Sequence, residues 1–231
     1  MMKLLQSDTP LVVGPIADEP TLDRIDRIPA VNACDLLEIR VDALSARLDT
    51  LKELLVQSEK PLLWTVRCSE EGGEGNLPIS RREPLYLDAL HTAAAVDIEV
   101  RSLKALGNVI RTGHASGVAL IASFHDFETC PSSGILRDKI EEAHQAGAAV
   151  AKIAVRVETM DALFQLAGLF ENAPLPLSVM GMGPLGQLSR LVLAQAGSRL
   201  NYGYLEKANA PGQWPVGRLR ELYRELGLRQ D

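Results

Sequence analysis

The sequence predicts an α/β protein built as a single (β/α)8 TIM barrel, and three observations carry that prediction. Eight short apolar runs recur along the 231 residues, stretches with helical spacing separate them, and no long Gly/Pro/Ser linker breaks the rhythm. The length is a little under the ~250 residues typical of such barrels, which leaves little room for a second domain. One catalytic domain over residues 1–231 is therefore expected.

The runs lie at 11–15, 36–41, 62–67, 95–100, 118–124, 149–155, 175–180 and 200–204. Val, Ile and Leu dominate several of them over simple alternation, as in strands covered on both faces. Between the runs, the groups Leu48-Leu51-Leu55, Tyr86-Leu87-Leu90 and Leu163-Leu166-Leu169 carry the helical period. Ser132 and Ser133 precede a helix expected over 135–144, with Gly147 after it. A closing helix is expected over 215–226, with Gly227 just past its end. The Gly-rich stretch 70–76 is expected to be a loop after the third strand. A doubly wound sheet uses the same local units, so the rhythm alone does not choose the barrel.

Composition narrows the function. There are 24 Lys and Arg against 30 Asp and Glu, a net charge of −6 with histidine neutral. Such a chain lacks the broad positive field that non-specific nucleic-acid binding needs. A few local arginines can still receive a small anionic substrate. Cys34, Cys68 and Cys130 show neither CxxC spacing nor a zinc-ligand cluster, so a reducing cytoplasm is expected. The first residues form no secretory apolar segment, and the other apolar stretches are interrupted by charge before membrane-spanning length. No membrane or nucleic-acid partner is expected.

Chemistry is signalled where polar residues interrupt apolar strands. Glu38 and Arg40 share one face of the second strand, and Thr65 and Arg67 share one face of the third. Ser123 and His125 do so at the end of the fifth. In a barrel such residues meet at the mouth, near the carboxyl ends of the strands. Lys152 sits inside the apolar sixth strand, although lysine is among the residues least often fully buried. One reading is an ion-paired or snorkelling structural lysine. The other is a nucleophile, its amine kept partly unprotonated by burial or a neighbouring cation, which condenses with a ketone. His125, one strand earlier, is then the proton-transfer partner. Glu71 or Glu99 would orient its ring.

His91, His114 and His144 fall in or beside helices with no HExxH spacing, so no metal is expected. Residues 181–186 match GxGxxG formally, but late in the chain and with a proline inside, so dinucleotide binding is set aside. A loop after the seventh barrel strand is a frequent anion site. Arg190, in the next helix, could grip a carboxylate as a bidentate fork. The loop near 207–214 follows the eighth strand and is expected to be a lid, with Gln213 donating to a carboxylate once it closes.

Taken together and in order, these residues resemble the type I 3-dehydroquinate dehydratase family. The marks are Glu38-Ile39-Arg40-Val41-Asp42, Thr65-Val66-Arg67 with Glu71-Gly72-Gly73, Ser123-Phe124-His125-Asp126-Phe127, Ala151-Lys152-Ile153-Ala154, Gly186-Gln187-Leu188-Ser189-Arg190-Leu191 and Ala210-Pro211-Gly212-Gln213. The resemblance implies a lyase that needs no cofactor, turning 3-dehydroquinate into 3-dehydroshikimate and water by Schiff-base syn elimination. It implies Lys152 as the imine former, His125 as acid and base, and Glu71, rather than Glu99, as the carboxylate behind the histidine. Glu38, Arg40 and Arg67 would hold ring hydroxyls, and Arg190 and Gln213 the substrate carboxylate. Asn209 stands where the family often has serine, and is a further expected substrate contact. A homodimer is possible in this family. The product would serve aromatic amino acid biosynthesis or quinate breakdown. A Schiff-base aldolase and a non-catalytic binding member of the same barrel family are the competing functions.

Overall fold

The computed structural model describes residues 1–5, 8–208 and 212–230. Its strands are β1 (Leu11–Ile16), β2 (Leu36–Arg40), β3 (Leu62–Thr65), β4 (Ala95–Glu99), β5 (Ala119–Asp126), β6 (Val150–Arg156), β7 (Leu177–Met182) and β8 (Leu200–Tyr202). Its helices are α1 (Met2–Leu5), α2 (Glu19–Asp23), α3 (Leu48–Gln57), α4 (Ile79–Ala89), α5 (Gly107–Ala115), α6 (Ser133–Gln145), α7 (Met160–Ala167), α8 (Gly186–Gln195) and α9 (Val216–Glu225). All the strand pairs are parallel, in the order β7-β6-β5-β4-β3-β2-β1-β8. The remaining seam, between β7 and β8, is stitched by the Arg199 N–H donating to the Leu177 carbonyl at 2.8 Å. Ser178 Oγ reinforces it by donating to the Leu200 carbonyl at 2.6 Å. The fold is the (β/α)8 barrel.

Alternation sorts each strand into two faces. Outward residues such as Val12, Leu37, Ile39, Trp64, Val96, Ile153 and Val179 pack beneath the helices. Inward residues divide by height. Leu11, Val13, Leu36, Leu63, Ala95, Ala119, Ile121, Val150 and Leu200 fill the lower interior, with Leu5 of α1 packed into the same cluster. Above them come Glu38, Thr65, Asp97, Ser123, Lys152 and Ser178, all buried. The apolar floor excludes water, so the polar layer interacts largely with itself and with whatever enters from above.

Several strand ends differ from the sequence expectation, for local reasons. β3 stops at Thr65 because side chains take the next backbone donors: Val66 N–H bonds Tyr86 Oη and Arg67 N–H bonds Asp42 Oδ1. β5 runs two residues further than expected because His125 and Asp126 stay in register with Ala154 and Val155. β8 ends at Tyr202, and Tyr204 pairs instead with Pro215. The helix expected after Ser132 is α6, and Gly147 takes φ +73 beyond it, a conformation that a side chain would strain.

Candidate active site

Register fixes the relation of the lysine to the histidine. Ser123 pairs with Lys152 and His125 with Ala154, so His125 lies one inward step nearer the mouth on the neighbouring strand. Both side chains line one cavity of about 180 Å3 with Glu38, Arg40, Arg67, Glu71, Arg190, Tyr202 and Gln213. Asn209 lies outside the described residues. Every other side chain expected in the site comes together there.

Lys152 is 4% exposed. Its Nζ donates to Asp97 Oδ2 at 2.9 Å and Tyr202 Oη at 3.1 Å, with Glu38 Oε1 at 3.6 Å. The Tyr202 ring centroid lies 4.2 Å from the same nitrogen. Two carboxylates thus face this buried amine.

Asp97 is fully buried, and its other oxygen receives Arg67 Nη2 at 2.9 Å and Ser123 Oγ at 2.5 Å. Burial alone would raise its pKa, but Arg67 and Lys152 prevail and hold it well below the usual carboxylate range. Arg67 also donates to Ser123 Oγ at 2.6 Å and Glu99 Oε1 at 3.4 Å. Glu99 is committed elsewhere, to Arg82 Nη2 at 2.5 Å and the Cys68 N–H at 2.8 Å.

Glu71 fills the place behind the histidine. Its Oε2 accepts the His125 backbone N–H at 2.9 Å and lies 3.0 Å from Nδ1. A carboxylate there holds the proton on Nδ1 and leaves Nε2 as the acceptor. Burial, then the cations Arg67 and Lys152, push the imidazole well below its ordinary value, so it rests neutral. Burial, opposed by Arg67 and helped by Glu99, raises Glu71 to about 7.

Arg40 donates to both oxygens of Asp42, at 3.0 and 2.7 Å, and to the Gly72 carbonyl at 3.0 Å, pinning the loop that carries Glu71. Arg190 is 1% exposed and differs from the other cations. Its Nε donates to the Tyr202 carbonyl at 3.0 Å. Its Nη1 lies within 2.9 Å of the Gly181, Gly186 and Gly212 carbonyls. The expected bidentate fork is thus already spent on the backbone, and Nη2 is the nitrogen left for the cavity. With no carboxylate beside it among the described residues, burial lowers Arg190 to about 10.

Gly212, in the loop after β8, docks on this arginine. Gly212 has φ +77, and a Cβ there would meet the Gly186 Cα at 2.6 Å and the Gly183 carbonyl at 2.8 Å. Inside the GxGxxG stretch, the Gly181 N–H bonds Ser189 Oγ and the Gly186 N–H bonds the Gly183 carbonyl. Those donors are not left open for a phosphate.

Two residues of the site escaped the sequence reading. Asp97 carried a usable signal, a lone acid between Val96 and Ile98 in the same alternation as Glu38 and Arg40. Tyr202 carried none, since an aromatic near a strand end looks like packing.

A family model described as type I 3-dehydroquinase matches residues 13–230. The chain belongs to that family. Among its relatives, the 3-dehydroquinate dehydratase of Methanothrix thermoacetophila is 33% identical over 225 residues, 97% of this chain and 96% of that protein. The crystal structure of 3-dehydroquinate dehydratase from Geobacillus kaustophilus superposes with a TM-score of 0.86 at 25% identity, covering 96% of this chain and 93% of that one. The type I enzyme from Clostridium difficile, solved with covalently modified comenic acid, gives 0.84 at 25% identity over 94% and 92% of the two chains.

Proposed function

We propose that this chain dehydrates 3-dehydroquinate to 3-dehydroshikimate through an imine on Lys152. The observation that carries the reading is one small cavity holding a buried strand lysine, a neutral histidine backed by a carboxylate, and a buried arginine with no acidic partner among the described residues.

In this reading the Lys152 nitrogen adds to the C3 ketone, and water leaves to give an iminium. The iminium acidifies C2, whose proton passes to His125 Nε2, leaving an enamine. The enamine expels the C1 hydroxyl, protonated by the same imidazolium, and hydrolysis of the conjugated iminium frees the product. Arg190 Nη2 and Gln213 receive the substrate carboxylate. Glu38, Arg40 and Arg67 face the ring hydroxyls, and Asn209 is a further contact. The lid near 207–214 closes over the ring within the one domain. A cavity of about 180 Å3 suits a compact polyhydroxylated acid and is small for the two partners of an aldolase.

The test is incubation with 3-dehydroquinate, followed by ultraviolet absorbance of the conjugated product. A rise at enzymatic rate is expected, and its absence would contradict the reading. No described helix is long and apolar enough to cross a membrane. The three unpaired cysteines agree with a reducing cytoplasm.

Glu71 sets the expected pH dependence. Below about pH 7 it takes up a proton and can donate to Nδ1, which moves the ring proton to Nε2 and removes the base. An acid limb near pH 7 in kcat/KM is therefore expected. In Glu71→Gln that limb should vanish, with the rate down about 10²-fold, the low end of a general base's contribution. Stability gives a second readout. Glu71's folded pKa lies above the ordinary 4.5, so its contribution is present below that pH and lost as the pH rises through about 7. The stability of the unaltered protein relative to Glu71→Gln should thus fall between pH 4.5 and 7.5 in denaturant titrations. His125, depressed when folded, acts in the opposite sense, losing its contribution as the pH falls below the ordinary 6.5 in both proteins.

A further inference from the structure

Building the imine poses a proton problem of its own. Of the three protons on the Lys152 ammonium, one stays on the iminium and two must leave with the ketone oxygen as water. Nitrogen and oxygen end up on the same carbon, where direct transfer would need a strained four-membered ring. A third group must bridge them.

The groups touching Nζ are few. Asp97 is fully buried beneath the amine, its oxygens are bound by Arg67, Ser123 and Lys152, and it does not line the cavity. Glu38 stands 3.6 Å away and accepts the Thr65 hydroxyl at 2.9 Å. Tyr202 differs from both. Its Oη accepts from Nζ at 3.1 Å, it lines the cavity, and no protein acceptor takes its own hydroxyl proton among the described residues. Its hydroxyl thus adjoins both the amine and the cavity that receives the substrate.

We propose that Tyr202 is a catalytic residue that relays protons from the Lys152 nitrogen to the C3 oxygen during imine formation, and back during product release. The proposal rests on the imine reading above. As the C–N bond forms, Nζ gives one proton to the phenol oxygen while the phenol gives its own to the ketone oxygen. The result is a carbinolammonium, with two protons on nitrogen and a hydroxyl on carbon. A second pass moves another proton from nitrogen to that hydroxyl; the C–O bond breaks, the C=N bond forms and water departs. The charge stays at +1 throughout, and Tyr202 returns to phenol after each pass.

The placement of Tyr202 suits a repeated relay. Its strand is registered by the pairing with Val13 and by Arg190 Nε on its carbonyl. Burial first, then Glu38 and Asp97, push the phenol well above its ordinary value, so it starts each pass protonated. The ring lies 4.2 Å from the amine, so removing the hydroxyl alone spares that contact.

The test is Tyr202→Phe. Rapid mixing with 3-dehydroquinate and quenching with borohydride should show Lys152 adduct accumulating about 10²-fold more slowly than in the unaltered protein. With substrate deuterated at C2, the isotope effect on turnover should collapse toward unity in Tyr202→Phe, because imine formation then limits the rate. A merely structural role would not move the isotope effect. Adduct formation at the unaltered rate, with the isotope effect retained, would overturn the relay while leaving the imine intact. Absence of adduct in the unaltered protein would instead overturn the underlying imine reading.

Discussion

Lys152→Ala is expected to lower turnover of 3-dehydroquinate by about 10⁴-fold or more, because among the described residues no other amine lines the cavity where a ketone must sit. Asp97 retains Arg67 at 2.9 Å and Ser123 at 2.5 Å after the substitution. Its charge is therefore not stranded, and the loss of stability should stay below the about 3–5 kcal/mol typical when one partner of a buried ion pair is removed. Steady-state rates and a urea titration on the same preparation separate the two effects. A folded variant retaining a tenth of the activity would show that the chemistry does not pass through this nitrogen.

His125→Ala should behave differently. Its turnover is expected to fall by about 10²- to 10⁴-fold, the range of a lost general acid and base. Borohydride should still trap substrate on Lys152, since Nζ keeps its contacts to Asp97 and Tyr202. Exchange of the C2 proton with deuterated water should stop in the variant. Exchange continuing at the unaltered rate would assign proton abstraction to another group. Losing trapping together with turnover would mean that the imidazole is needed for the imine itself.

The fold and much of the site were legible for one physical reason. A strand covered on both faces has no solvated side, so polar residues at alternate positions must meet inside. That logic places Glu38, Arg40, Arg67, His125 and Lys152 from the sequence alone. It also applied to Asp97, which pairs two residues further down β4 from Glu99 and was overlooked because an acid inside an apolar run resembles the strand-end acid beside it. Tyr202 was illegible because what marks it is a hydroxyl 3.1 Å from an amine two strands away, a relation no spacing encodes. Arg190 was found, but its geometry was not. Sequence carries no record of the Gly181, Gly186 and Gly212 carbonyls converging on one guanidinium nitrogen. The amine's two carboxylate neighbours were hidden for the same reason, since Asp97 and Glu38 reach Lys152 from other strands.

The central claim is a covalent bond between one buried amine and the substrate. Borohydride reduction with 3-dehydroquinate, followed by intact-mass and peptide mass spectrometry, measures it directly. The account predicts a single stable adduct on the peptide containing Lys152, formed only when substrate and reductant are present together. Full turnover with no adduct, or an adduct carried by a different lysine, would contradict it.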